Sequence, residues 1–245
     1  MDSKWQTYYE KALSIAHRLR PHCERVAIAG GIRRGNVSPK DIDIVCVAKG
    51  TEVHDITNEW LSHGVVQKRL KTNGSAIGWG DRFRAMVIDD IPFDLYMTEP
   101  SLWGYRLLLS TGDASANHAL VKRNSIKSRD GELIVENMPT LAFEEWQVFK
   151  ACELPYIAPP FRRETSYRYF WQHDIYALWY SAKSETAFRG FLYRDGVWYR
   201  NRKLYSVPDN IRRVILRSLY SEWVGVDNFT GVYSGNTLEK IETGL

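Results

Sequence analysis

Cysteines are scarce in this chain, and long apolar runs are absent. The 245 residues include only Cys23, Cys46 and Cys152, and no two of them have a CxxC spacing. Three widely spaced cysteines argue against a disulfide framework and against a zinc site, and they fit a reducing cytosol. No apolar run approaches the ~20 residues that cross a bilayer, and residues 1–5 contain no apolar signal region. The sequence therefore predicts a cytoplasmic protein without membrane contacts.

A strong excess of one charge is also missing. Lysine and arginine number 33 against 29 acidic residues, so the formal net charge is +4. This mildly basic balance is compatible with a nucleic-acid partner but does not by itself indicate one. Hydrophobic residues make up 44% and charged residues 25%, as in an ordinary globular protein, and there is no repeat or low-complexity tract. The length suits one large domain or two smaller ones, and we expect a monomer.

A glycine turn follows the first apolar strand candidate, residues 26–29. Gly30 and Gly31 end this strand, and glycine lets the backbone approach a ligand closely and adopt positive φ without penalty. Successive backbone N–H groups in such a turn form a nest that suits phosphate oxygens. Arg34 adds positive charge nearby. The turn is therefore a candidate phosphate site, although two glycines alone indicate no more than a tight turn.

Three aspartates lie in two apolar strand candidates. Asp41 and Asp43 open the strand 42–47, and both point to the same face because strand side chains alternate. Asp94 lies in the middle of a second apolar strand, 91–97. Carboxylates on one face repel each other unless a cation lies between them, and Mg²⁺ prefers oxygen ligands of this kind. A lone D-x-D is more often a solvated strand end, but the glycine turn, the D-x-D and the third acid in this order favour a metal site.

These motifs in this order resemble the nucleotidyltransferase superfamily and, more narrowly, the palm of family X DNA polymerases, the DNA polymerase beta type. Ser110–Asp113 and Asn117–Leu120 look like the family's nucleotide-binding turn and the helix after it. Leu154–Arg162 looks like the segment that closes the family's C-terminal domain. The match covers about residues 8–163. It implies two-metal transfer of a nucleotide to a 3′-hydroxyl, in gap filling and DNA repair.

The resemblance also implies roles for individual residues. Asp41 and Asp43 would bridge two Mg²⁺ ions, for which Mn²⁺ can substitute, and Asp94 would hold the catalytic ion beside the attacking hydroxyl. All three acids are therefore expected to be catalytic and metal-binding. The residues expected to bind the nucleoside triphosphate are Gly30, Gly31 and Arg34 at the β- and γ-phosphates, Thr111 and Gly112 at the sugar, and Asn117 at the base. Pro92 stands where the family often has a basic residue that orients the primer end.

The expected fold class is α+β. The pattern predicts a nucleotidyltransferase palm over residues 1–100, with a mixed sheet flanked by helices, and a small α/β nucleotide-binding subdomain over 101–163. An aromatic-rich extension over 164–245 resembles no family that we recognise. Helix-hairpin-helix modules and a lyase domain, which family members commonly carry ahead of the palm, are not expected. We therefore predict a minimal polymerase, comparable to viral ones, for which the cytoplasm would be that of the host.

Residues 164–245 combine aromatic and basic side chains. They include four Trp, nine Tyr and four Phe, and basic residues interleave with several of these rings in a predicted hairpin around Asp195-Gly196. Aromatic rings stack on bases and cations hold phosphates, so the mixture suits a nucleic-acid surface. The residues expected to contact DNA, as a gapped duplex or a primer–template, are Arg189, Arg200, Arg202 and Lys203. The alternative is that the rings fill a small core while the basic residues reach water.

Apolar spacing predicts most of the remaining helices, and turn residues predict the hairpins. Predicted helices cover 7–20, 52–62, 101–109, 141–150 and 167–181. Another helix is predicted to follow a cap at Asp113 or Ser115. Hairpins are predicted to turn at Asp89-Asp90 and at Asp130-Gly131. Arg82 and Arg84 share one face of the strand before Asp89, where they are either solvated or phosphate contacts.

Two other functions remain open at this point. The palm motifs are shared with nucleotidyltransferases that need no template and act on DNA ends, RNA ends or small molecules. Only the resemblance over residues 110–162 favours a template-directed DNA polymerase. The second alternative is a DNA-end binding module without catalytic activity, although the presence of all three acids argues against it.

Overall fold

The structure, a computed structural model, describes most of the first two thirds of the chain. Described are residues 4–71 and 74–154, positions 157, 159, 162–165, 167 and 168, and the backbone of three short strands at 176–177, 192–194 and 197–199. The chain divides into two compact units, Met1–Thr111 and Gly112–Leu245. The first unit thus extends beyond residue 100, where the sequence predicts the end of the palm.

The first unit is a five-stranded mixed sheet with helices on both faces. The strand order is β1-β2-β5-β4-β3, and the pair β2–β5 is parallel while the other neighbours are antiparallel. The elements are α1 (Lys4–Leu19), β1 (Cys23–Ile28), α2 (Gly30–Arg33), β2 (Ile42–Ala48), α3 (Glu52–Ser62), β3 (Gln67–Lys68), β4 (Phe83–Ile88), β5 (Ile91–Met97) and α4 (Trp103–Thr111). The predicted mixed sheet with flanking helices is confirmed.

The two faces of the sheet are covered differently. On one face, Ile42, Ile44 and Leu95 pack with apolar residues of α1 and α3 into the main core. On the other face, α4 packs through Trp103 and Leu107 against a smaller cluster that includes Val45 and Val47 of β2. Because strand side chains alternate, Asp43 lies on the same face as these two valines. Helix α4 therefore covers one end of this face, and Asp43 lies at the other end.

The hairpin between β4 and β5 turns at the predicted dipeptide. Asp89 and Asp90 have φ values of 47° and 61°, the left-handed conformations of a two-residue turn that Asp tolerates better than most residues. Pro92 lies in the interior of the sheet, in β5. The pairing of β5 with β2 begins only at Phe93, so at Pro92 only the side facing β4 is paired. A proline is tolerated at such a local edge because one N–H is not needed there.

The second unit begins with α5 (Ala114–Arg123), capped by Asp113. The Asp113 carboxylate accepts hydrogen bonds from the backbone N–H groups of Ser115 and Ala116, as predicted for one of the two candidate caps. A three-stranded antiparallel sheet follows, formed by β6 (Lys127–Arg129), β7 (Glu132–Val135) and β8 (Met138–Thr140). The hairpin at Asp130-Gly131 is confirmed, whereas β8 has no counterpart among the predicted elements.

Helix α6 (Glu145–Ala151) begins later than predicted. The sequence predicts a start after Thr140, but Thr140 pairs with Leu133 as part of β8. Glu144 is the N-cap, and it forms a capping box with Gln147. The capping contact predicted for Glu144 is therefore present, at the helix boundary itself.

Three short strands are described beyond α6. They are β9 (Tyr176–Ala177), β10 (Leu192–Arg194) and β11 (Val197–Tyr199), which pair in the order β11-β10-β9. The predicted hairpin around residues 195 and 196 is confirmed, since β10 and β11 are antiparallel partners. The helix predicted over 167–181 is wrong at β9, which pairs with β10 instead. Within the described residues, no helix is both long and apolar enough to cross a bilayer.

Candidate active site

Two of the predicted acids lie directly opposite each other on neighbouring strands. Asp43 of β2 pairs in register with Asp94 of the parallel strand β5. Their side chains therefore share the sheet face that α4 only partly covers. Asp41 lies immediately before β2, two residues from Asp43. Its negative charge raises the pKa of both Asp43 and Asp94, which places all three carboxylates within electrostatic reach of one another.

The glycine turn lies directly against Asp43. Gly30 has φ +61°, and a Cβ atom added there would lie 1.8 Å from Asp43 Oδ2. The Ala29 N–H donates to the Asp43 carbonyl over 2.8 Å, which ties the start of the turn to β2. At Gly31 the requirement is weaker, since an added Cβ would be 3.6 Å from the nearest atoms, in Asn36. Glycine at position 30 is therefore what allows the turn backbone to approach the carboxylate.

Burial and mutual repulsion raise the pKa values of these acids. The pKa of Asp43 rises to about 7, chiefly because burial disfavours its charged form and secondly because Asp41 and Asp94 are negative. Burial is also the main cause of the raised pKa of Asp94, which the nearby Arg69 partly offsets. Asp43 is thus shielded from water and lies near two other negative charges, so its surroundings favour a bound cation.

Tyr96 adds a hydroxyl group to the same sheet face. It lies two residues after Asp94 on β5, opposite Val45. Its hydroxyl donates a hydrogen bond to Asp43, which lowers the pKa of that carboxyl and acts against burial. Burial, followed by the charges of Asp43 and Asp94, raises the pKa of Tyr96, so the phenol keeps its proton. The strand alternation of β5 already places Tyr96 beside Asp94, but only the pairing with β2 shows that it reaches Asp43.

Asp94 forms an ion pair that the sequence did not predict. Arg69 Nη2 lies 2.9 Å from Asp94 Oδ1 and donates to Oδ2 over 3.1 Å. The Asp94 side chain is only 9% exposed, and that of Arg69 is 25% exposed. Arg69 follows the short edge strand β3, far from Asp94 in sequence. Its position beside the acid depends on the order of three strands, which no local pattern reveals.

The arginines after the glycine turn bind the end of α4. Arg33 Nη1 donates to Thr111 Oγ1 over 2.8 Å, and Arg34 Nη1 donates to the Thr111 carbonyl over 2.5 Å. Thr111 is fully buried, and Arg33 is 4% exposed. Two predicted nucleotide-binding residues, Arg34 and Thr111, are thus brought together. Arg33 was not singled out from the sequence, because its neighbour carries the same charge and only packing distinguishes the two.

The other two predicted nucleotide-binding residues are close to each other in the second unit. Gly112 lies so near Asn117 that an added Cβ would be 2.2 Å from Asn117 Oδ1. The Asn117 N–H donates to the Asp113 carbonyl over 2.9 Å, as expected in the first turns of α5. The side chain of Asn117 therefore folds back over the glycine that precedes the helix.

Arg84 is neither solvated nor exposed to a phosphate, so both sequence-based alternatives for it are wrong. It is 5% exposed and points to the opposite face of the sheet from Asp94. Its Nη1 atom donates to the His54 carbonyl, to Thr57 Oγ1 and to Asn58 Oδ1, all in α3. Arg84 is therefore an anchor between the sheet and this helix. The predicted DNA contacts Arg189, Arg200, Arg202 and Lys203 lie outside the described residues.

The three aspartates have the chemistry that a divalent cation requires. Asp94 Oδ1 is buried and accepts no well-formed hydrogen bond from the part of the chain that the structure describes. The absence of a side chain at Gly30 makes room for the Asp43 carboxylate, which lies where a Cβ at position 30 would be. Within that same part of the chain, no three His, Cys, Asp or Glu side chains converge on one point as a set of metal ligands. The oxygen donors are thus present on one face, with Asp94 engaged by Arg69.

Comparisons with protein families and with curated proteins found no match. No protein-family model matches the chain. No curated protein matches it significantly either. The function must therefore be argued from the site itself.

Proposed function

We propose that this chain is a metal-dependent nucleotidyltransferase of the family X DNA polymerase type, which adds nucleotides to a 3′-hydroxyl. The in-register pair of Asp43 and Asp94, with the glycine turn against Asp43, carries this proposal. Buried carboxylates that repel each other are costly unless a cation neutralises them. Their position beside a turn of backbone N–H groups suits a reaction between metal-bound phosphates and a hydroxyl group.

The roles proposed for the acids are those that the resemblance to family X polymerases implies. Asp41 and Asp43 would hold both metal ions, and Asp94 would hold one of them on the side of the attacking hydroxyl. Two bound magnesium ions would lower the pKa of the hydroxyl and neutralise the charge on the leaving pyrophosphate. Tyr96 keeps one Asp43 oxygen oriented through its hydrogen bond. Asp43 and Asp94 need no rearrangement of the backbone, because the strand pairing already sets their spacing.

The triphosphate would lie at the turn that begins α2. The amides of Gly30 and Gly31 open the helix and therefore have no acceptor within it. Arg34 lies at the end of α2, and its guanidinium has five N–H donors. Its Nη1 atom donates to the Thr111 carbonyl, which fixes the guanidinium beside the glycine turn. Thr111, Gly112 and Asn117 are proposed to contact the sugar and base of the nucleotide.

The proposed biological reaction is gap filling in DNA repair. The order of motifs over residues 110–162, as in family X polymerases, supports a template-directed enzyme. The end of α4 at Thr111 is buried and accepts hydrogen bonds from both arginines, which fixes this end of the helix beside the glycine turn. A template-independent transferase would use the same three acids, so the test must compare substrates directly.

Primer extension distinguishes these functions. The full chain, with Mg²⁺, is given either a gapped duplex or a single strand, and either deoxynucleotides or ribonucleotides. Addition to the gap that follows the template supports the polymerase, and untemplated addition to the single strand supports the terminal transferase. Asp43→Asn should abolish addition and leave the protein folded. Asp90→Asn is the matched control, because this exposed turn residue has a φ of 61° that Asn tolerates. No metal-dependent addition to either DNA would refute the proposal.

A further inference from the structure

A row of four residues crosses neighbouring strands and strand ends of the sheet: Arg69, Ala85, Asp94 and Asp43. Asp43 is in register with Asp94, and Asp94 is in register with Ala85 of β4. The Arg69 N–H donates to the Ala85 carbonyl over 3.0 Å, which continues the row beyond β4. The Arg69 carbonyl accepts from the Ile77 N–H over 2.7 Å. The backbone of Arg69 is therefore held from both sides while its side chain crosses toward the carboxylates.

Ala85 makes this crossing possible. It lies between Arg69 and Asp94 in the row and is completely buried. Its methyl group is small enough for the Arg69 side chain to pass over it and reach both oxygens of Asp94, at 2.9 Å and 3.1 Å. A longer side chain on β4 would separate the two charges. The ion pair is thus built into the sheet, and the Arg69 side chain remains 25% exposed.

The sequence around Arg69 is basic. Residues 60–80 contain Lys68, Arg69 and Lys71 and no Asp or Glu. Lys71 is exposed, and the Lys68 ammonium lies over the Trp79 ring, 4.6 Å from its centroid. Lys68 pairs with Met86 of the main core and therefore faces the other side of the sheet, whereas Arg69 lies beside Asp94. A guanidinium beside the acids, in a segment without acidic residues, favours an anionic chain over a neutral small acceptor.

We propose that Arg69 positions the acceptor: its guanidinium pairs with Asp94 when the carboxylate has no divalent cation, and with a phosphate of a polynucleotide acceptor when it has one. This inference rests on the proposed function, because it takes Asp94 as a metal ligand. An arginine suits both partners, since its planar group matches a carboxylate and a phosphate in the same way. A bound cation engages Asp94 and so frees Arg69 for the phosphate. A bound phosphate engages Arg69 and so frees Asp94 for the cation. Binding of the cation and binding of the acceptor therefore favour each other.

The first test measures metal binding without any substrate. Mn²⁺ is titrated calorimetrically into the full chain, the Arg69→Gln and Arg69→Lys variants and Asp43→Asn. Removing the competing guanidinium should make Mn²⁺ binding about threefold tighter or more in Arg69→Gln. Arg69→Lys should stay closer to the wild type, because it keeps a positive charge. Arg82→Gln is the control, since Arg82 is an exposed cation paired with Glu99 outside this row.

The second test measures acceptor binding with a single-stranded oligonucleotide that ends in a 3′-hydroxyl. With Mg²⁺ present, Arg69→Gln should weaken binding about tenfold and raise KM for the acceptor more than it lowers kcat. Arg69→Lys should restore part of the affinity, and Arg82→Gln should change it little. Without a divalent cation, Arg69→Gln and the wild type should bind alike. Thermal unfolding of each variant checks that the fold is intact.

The outcomes separate this inference from the proposed function. If Arg69→Gln leaves the Mn²⁺ affinity unchanged while Asp43→Asn abolishes Mn²⁺ binding, the proposed role of Arg69 is overturned but the proposed function is not. Mn²⁺ binding that does not depend on Asp43 would overturn both proposals. Equal oligonucleotide affinity of Arg69→Gln and the wild type in Mg²⁺ would overturn the acceptor contact.

Discussion

Gly30 lies so close to Asp43 that a methyl group at position 30 would overlap the carboxylate. The added Cβ would be 1.8 Å from Asp43 Oδ2, and the backbone of Gly30 has φ +61°. Both facts require glycine, one because of space and the other because of conformation. The turn and the acid are therefore a single structural feature, although helix α2 and a loop separate Gly30 from Asp43 in the sequence.

Gly30→Ala should damage the proposed site more than the fold. The left-handed conformation costs an L-residue about 1–2 kcal/mol, and Asp43 must move away from the new methyl group. A displacement of this kind should lower metal-dependent transfer roughly 100-fold. Gly31→Ala is the control, since its Cβ would meet its nearest neighbours at 3.6 Å. Thermal unfolding and a transfer assay on both variants measure the difference, and equal activities would contradict the prediction.

The raised pKa of Asp43 predicts a loss of stability as the pH rises. Its pKa is about 7 in the folded protein against an ordinary value of 3.8, so between these values the folded chain binds more protons than the unfolded chain. The contribution is fully present below pH 3.8 and is lost as the pH rises through about 7. Asp43→Asn should remove this loss, which is at most about 1.4 kcal/mol per pH unit for one proton.

Urea unfolding with a chelator at pH 5 and pH 8 measures this effect. The wild type should lose more free energy of unfolding between the two pH values than Asp43→Asn does. Asp90→Asn, in the exposed turn, should behave like the wild type. A parallel pH dependence of the wild type and Asp43→Asn would show that this carboxyl titrates normally.

Arg162 and Glu145 form a buried ion pair in the second unit whose partners should depend on each other. Arg162 Nη1 donates to Glu145 Oε1 over 2.6 Å and Nε donates to the Ile157 carbonyl over 2.8 Å, with 1% of Arg162 exposed. Glu145→Ala should cost about 3–5 kcal/mol, because it leaves the guanidinium buried without its carboxylate. Replacing both residues by Met should cost less than the sum of the single changes. Urea unfolding of the single and double variants tests this, and additive losses would count against coupling.

Arg84 should act on stability and not on DNA binding. Its three hydrogen bonds to α3 join the helix to the sheet, on the face away from the acids. Arg84→Leu should lower the free energy of unfolding by about 2 kcal/mol or more, because it leaves buried acceptors unpaired. Arg82→Gln, which removes an exposed charge from the same hairpin, should have little effect. Thermal unfolding separates the two, and equal melting temperatures would refute the anchor role.

Much of the local structure could be read from the sequence. Helix α3 has the predicted bounds, Glu52–Ser62, because a single apolar stripe and its flanking residues define it. The turn at Asp89-Asp90 and the cap at Asp113 also follow from short-range chemistry. Where prediction failed, a distant partner decided. Thr140 lies in a strand because Leu133 pairs with it. Residues 176 and 177 lie in a strand because β10 pairs with them.

The sequence by itself determined the glycine turn and most strands of the first sheet, because alternation and turn chemistry act over a few residues. Only the tertiary structure decided that Asp43 lies opposite Asp94 and that Arg69 reaches Asp94 across Ala85. A slip of one residue in strand register would turn each side chain to the opposite face. Register depends on packing between segments far apart in the chain. The components of the site are therefore local, and their arrangement is not.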